Sequence, residues 1–145
     1  MKNRVASLAA GVLAAACLAL PVSAVAKDSL FVVVTSPDAQ TQGMAMVLTM
    51  QSLQRQTPVR VLLCGPGGDL ALKDYAGSPL QPSGKTPQQM LQGAIQAGAQ
   101  VELCALYLPN SNGRKPTDLI DGVAPVTPPA IGEFMDRPDV RYLTF

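Results

Sequence analysis

Four short apolar runs rich in branched residues place the tightest limit on what this chain can fold into. They are residues 30–35 (LFVVVT), 59–64 (VRVLLC), 101–106 (VELCAL) and 140–145 (VRYLTF), each of strand length and strand composition. Between the first two, Met46, Met50 and Leu53 recur at helical spacing, and Met44, Val47 and Leu48 form a neighbouring stripe. That spacing predicts a helix over residues 38–56, apolar around much of its girth. A second helix is predicted over residues 86–97, where Thr86 can cap, Pro87 suits the first helical position and Gly98 stands just past the end. Strands that are apolar on both faces and alternate with helices predict a mostly parallel sheet covered on both sides, a three-layer α/β/α fold. The 145 residues have room for one such domain.

The N-terminus reads differently. Lys2 and Arg4 precede an apolar stretch from Val5 to Leu20, and Ala24-Val25-Ala26 offers small residues where a signal peptidase cuts. Residues 1–26 are expected to be a cleaved secretory signal, with residues 27–145 the exported, periplasmic domain. A lipoprotein signal ending at Cys17 is the sharper alternative, but Ala14-Ala15-Ala16 lacks the large aliphatic residue expected before a lipidated cysteine. The stretch is short for a membrane span and Pro21 interrupts it. No membrane span is therefore expected after cleavage, and the domain keeps two cysteines, Cys64 and Cys104.

Several function classes drop out. The chain has no histidine, which removes the commonest metal ligand and the usual acid-base group at neutral pH. No metal site and no cofactor are expected. A net charge of +1 with no basic run gives little to hold a nucleic acid. Ser83-Gly84-Lys85-Thr86 resembles the end of a P-loop, yet Pro79 stands where that pattern needs glycine and no strand precedes it. Met44 and Met46 lie on opposing sides of their helix, so they cannot converge on copper.

The candidate chemistry sits at strand ends. In open parallel sheets the ligand crevice lies beyond the carboxyl ends of the strands, and two irregular loops, residues 65–85 and 109–129, leave from there. Within them, one helical turn is expected at residues 69–73, a short helix at 117–120 and a short strand at 122–125. Cys104 lies near the carboxyl end of the third run. Its thiol is either a nucleophile, its thiolate stabilised by Arg114 and Lys115 folding back, or a small buried hydrophobe. Cys64 ends the second run and reads more simply as packing. Glu102 shares a strand face with Cys104, either as its proton partner or as a solvated carboxylate. Gly67 and Gly68, in Gly65-Pro66-Gly67-Gly68-Asp69, either cradle an anion or form a tight turn needing positive φ.

Taken in order, LFVVVTS, the apolar helix, VRVLLCGPGGDLAL, the second helix, AQVELCAL and DLIDGVAPVTPPAIGEFM with a terminal strand resemble the DsrE/DsrF-like family of small sulfur-relay proteins. The resemblance spans nearly all of residues 29–145. It implies a sheet of about five strands, assembly into trimers or hexamers of like subunits, and a persulfide carried on Cys104, which occupies the family's matching place. It also implies donor and acceptor partners, proteins or small sulfur compounds, which the sequence does not name. The family's sheet order implies the first strand between the second and third. That order sets Cys64 and Cys104 roughly 10 Å apart, beyond the ~7 Å reach of a disulfide, so both are expected as free thiols. Two functions follow from the sequence: an exported sulfur carrier acting through Cys104, or a non-catalytic ligand-binding or oligomeric assembly module on the same fold.

Overall fold

A computed structural model describes residues 28–145 of the chain. The expected signal segment and Cys17 lie outside the described residues. The chain runs β1 (Ser29–Val34), α1 (Ala39–Gln54), β2 (Val59–Leu63), α2 (Pro87–Gln96), β3 (Gln100–Cys104), β4 (Val123–Val126), α3 (Pro128–Met135) and β5 (Val140–Thr144). All five strands are parallel and ordered β4-β3-β2-β1-β5. This is the α/β fold expected from the sequence.

Local signals fix the helix starts. The Asp38 carboxylate accepts the Thr41 backbone N–H at 2.8 Å to begin α1. At α2, Thr86 and Gln89 cap one another reciprocally, and Pro87 takes the first helical position. The short helix α3 was not anticipated. It hides behind the proline-rich stretch ahead of it, although Pro128 opens it and Ala130, Ile131 and Phe134 share its packed face. The helical turns in the two long connections are 3-10 segments, Gly65–Ala71 and Pro116–Asp118.

One sheet face is covered by α1 and α2, which pack on Val32, Val34, Val61, Leu63, Val101 and Leu103 through Ala45, Met46, Leu91 and Ala94. The other face carries Phe31, Leu62 and Val126, with α3 over them. Met46 is buried on the first face, whereas Met44 stands 52% exposed, as their angular separation requires. Among the described residues no helix is long and apolar enough to cross a membrane.

The strand order corrects one expectation. β1 does not separate β2 from β3; those two are hydrogen-bonded neighbours, with Val61 beside Val101 and Leu63 beside Leu103. The connections explain it. Both α1 and α2 lie on the same face and touch one another, so two successive crossovers of one hand step the chain outward in one direction. The far edge of β1 is taken by β5.

Candidate functional site

The β2–β3 register brings the two cysteines together. Leu63 pairs with Leu103, so Cys64 and Cys104 occupy the next rung, on neighbouring strands about 4.8 Å apart. Side chains alternate between faces along a strand, which puts Cys64 with Leu62 and Cys104 with Glu102 on the α3 side. Both cysteines pack against the cluster of Phe31, Leu62 and Val126, and both are half-buried free thiols. The Cys64 backbone N–H continues the ladder to Val34 C=O at 2.9 Å, holding this residue in line just past the last residue of β2.

Burial first, and then its neighbour Cys104, push the Cys64 thiol up to about 12. Cys64 therefore keeps its proton at neutral pH.

Both cysteines line a cleft of about 970 Å³ at the carboxyl edge of the sheet, with Gly65, Asp69, Tyr107 and Arg114 around it. That volume is at the upper end of the range for small-molecule sites. Tyr107 donates its hydroxyl to Asp69 in a short hydrogen bond, and burial followed by that carboxylate holds its phenol above the ordinary range. Arg114 pairs with Asp74 at 2.9 Å, which raises its pKa further. The titratable groups lining the cleft beside the cysteines are thus Asp69, Tyr107 and Arg114, each already partnered.

The other residues singled out in the sequence divide between cleft and scaffold. Arg114 does reach the cleft, but Lys115 is not among its lining residues. Gly67 and Gly68 lie just behind it in the 3-10 segment, and close packing accounts for both. A Cβ on Gly67 would stand 2.3 Å from the Val34 carbonyl oxygen, and one on Gly68 2.3 Å from the Tyr107 ring. The positive φ of this turn, +50°, belongs to Gly65. Glu102 faces Arg60 instead of serving Cys104, and it also accepts from Gln100 Nε2 at 2.8 Å. The strands apolar on both faces are thus interrupted on the α3 side by this ion pair. Among the described residues no group of three Cys, Asp or Glu side chains could hold a metal ion.

What the sequence reading missed is Cys64 as the partner of Cys104. The available signal was that each cysteine stands at or near the end of an apolar run, and that successive strands joined by one crossover are usually neighbours.

A parallel five-stranded sheet with a cleft over its carboxyl edge defines a small α/β protein. In particular it is similar to the YchN protein of E. coli, whose crystal structure matches with a TM-score of 0.63 at 21% identity, over 81% of this chain and 99% of that one. It is similar as well to MTH1491 of Methanobacterium thermoautotrophicum, a protein of unknown function, with a TM-score of 0.58 at 17% identity over 81% of this chain and all of the other. At these identities the likeness is one of fold. No protein-family profile and no curated relative matches the chain.

Proposed function

We propose that this chain is an exported, periplasmic sulfur-handling protein that carries sulfane sulfur as a persulfide on Cys104. A Cys104 thiolate attacks a sulfane sulfur of a polysulfide or a donor persulfide; the S–S bond breaks and the shortened donor leaves as its anion. The persulfide is then passed to an acceptor thiol, so the protein is a carrier more than a turnover enzyme and needs no cofactor. The observation that carries this reading is the position of Cys104, half-buried at a strand end, open to a cleft and on the same rung as Cys64. Arg114, the cation that lines the cleft, is the group proposed to receive the anionic donor.

Intact-mass measurement of the chain from Lys27 onward, after exposure to polysulfide, tests it. Each added sulfur contributes about 32 Da, removed by a thiol reductant, and Cys104→Ser should take up none. An adduct confined to Cys64 would refute the assignment.

A second reading, an assembly module of like subunits, draws on α1. Met44, Val47 and Leu48 form an exposed apolar stripe on its outer side, at 52, 42 and 37% exposure. We propose a trimer or hexamer built through this helix. The two readings are compatible, since the stripe and the cleft are separate surfaces.

A further inference from the structure

We propose that Cys64 is a resolving cysteine, which discharges the persulfide on Cys104 by closing a Cys64–Cys104 disulfide and releasing sulfide. This rests on the carrier reading for its starting state and on the β2–β3 register for its geometry. The two residues share one rung of neighbouring parallel strands and one sheet face. Strand spacing of about 4.8 Å lies inside the window of about 4.4–6.8 Å between Cα atoms that a disulfide spans. The register holds both residues on neighbouring strands of one rigid sheet, so no rearrangement of the backbone is needed to bring their Cα atoms within reach of a bridge.

The step balances without an outside oxidant. Cys64 attacks the Sγ of Cys104, the inner sulfur of the persulfide. The bond between the two cysteine sulfurs forms as the bond to the outer sulfur breaks. The outer sulfur leaves with the electron pair, takes the proton given up by Cys64 and departs as hydrogen sulfide. The sulfane sulfur is reduced to sulfide and the two cysteines are oxidised to the disulfide. A dithiol reductant then restores both thiols. The proton held on Cys64 keeps this route slow near neutral pH, which leaves a thiol acceptor time to take the sulfur intact.

The full mature chain is loaded with polysulfide, desalted, and followed by non-reducing intact mass together with trapping of released sulfide. In the wild type the species heavier by about 32 Da should give way to one lighter than the dithiol by about 2 Da. One sulfide should be released for each such conversion, and digestion should yield a peptide linking Cys64 to Cys104. Compared at equal occupancy after loading, Cys64→Ser and Cys64→Ala should hold the added sulfur at least tenfold longer. Wild-type loading that decays at the rate of the Cys64 variants, with no linked peptide, overturns the resolving role and leaves the carrier reading standing. A failure of the wild type and both Cys64 variants to load overturns the carrier reading, and the discharge step falls with it.

Discussion

Arg60 grips Glu102 across the β2–β3 seam with two parallel hydrogen bonds, Nε to Oε2 at 2.7 Å and Nη2 to Oε1 at 2.9 Å. The pair is nearly enclosed, with side-chain exposures of 10 and 13%, and the guanidinium also lies 4.7 Å from the centre of the Phe134 ring. Removing one partner leaves the other charge buried, which costs about 3 kcal/mol or more, whereas an apolar pair of similar size can be nearly neutral. Glu102→Ala should therefore lower the unfolding free energy by about that amount, and Arg60→Leu with Glu102→Leu should recover most of it. Urea unfolding of the three proteins measures this. Because the carboxylate is committed to Arg60, folded Glu102→Ala should still take up sulfur on Cys104. Loss of uptake would restore Glu102 as a proton partner.

The raised thiol of Cys64 ties stability to alkaline pH. Its ordinary value is 9.0 and its folded value about 12, so between these limits the unfolded chain releases a proton that the folded chain keeps. Stability from this source is whole below pH 9 and drains away as the pH climbs through 12. The raised phenol of Tyr107 acts in the same direction. The urea midpoint should fall between pH 8.5 and 10.5, and fall less in Cys64→Ala. Equal losses in both proteins would contradict the shift.

Oligomerisation can be probed without touching the core. Met46 is fully buried, so Met46→Glu should unfold the domain and says nothing about assembly. Met44→Glu and Val47→Glu alter the exposed stripe instead. By light scattering at micromolar concentration, wild type should run as a trimer or hexamer and these variants as smaller species with the native circular dichroism spectrum. A wild-type monomer would defeat the expectation.

The turn glycines should differ in how they tolerate a methyl group. At Gly67 the obstacle is a backbone carbonyl of β1, which cannot swing away; at Gly68 it is the Tyr107 ring, which can move only by giving up its bond to Asp69. Overpacking of this kind costs about 1–3 kcal/mol. Gly67→Ala should be the more destabilising of the two in chemical denaturation, and Gly68→Ala should also bring the Tyr107 titration back toward its ordinary range.

The sequence carried the layers of this fold well because branched six-residue runs and capped helical stripes are local signals. Asp38 and Thr86 mark their helix starts within a residue. It carried α3 poorly, since eight residues opening on Pro128-Pro129 give barely two turns of periodicity. The sheet order is a non-local property, and a family likeness supplied the wrong one. That single error moved Cys64 from beside Cys104 to the far side of β1 and hid half of the candidate site. Arg114 at the cleft was legible as a cation near Cys104 in the chain. Its commitment to Asp74 was not, because α2 and β3 intervene in the chain between the two.

The three rungs on the α3 side of the β2–β3 seam read Arg60 beside Gln100, Leu62 beside Glu102, and then the two cysteines. The diagonal clasp of Arg60 on Glu102 is therefore a gauge for the sulfurs two residues further on. A slip of one residue would turn every side chain of one strand to the opposite face, sending one cysteine into the α1 and α2 core while the other stayed in the cleft. An interaction with no place in the proposed sulfur chemistry thus helps to set whether the two thiols can meet at all, and alignment of the seam becomes a property on which that proposed reactivity would depend.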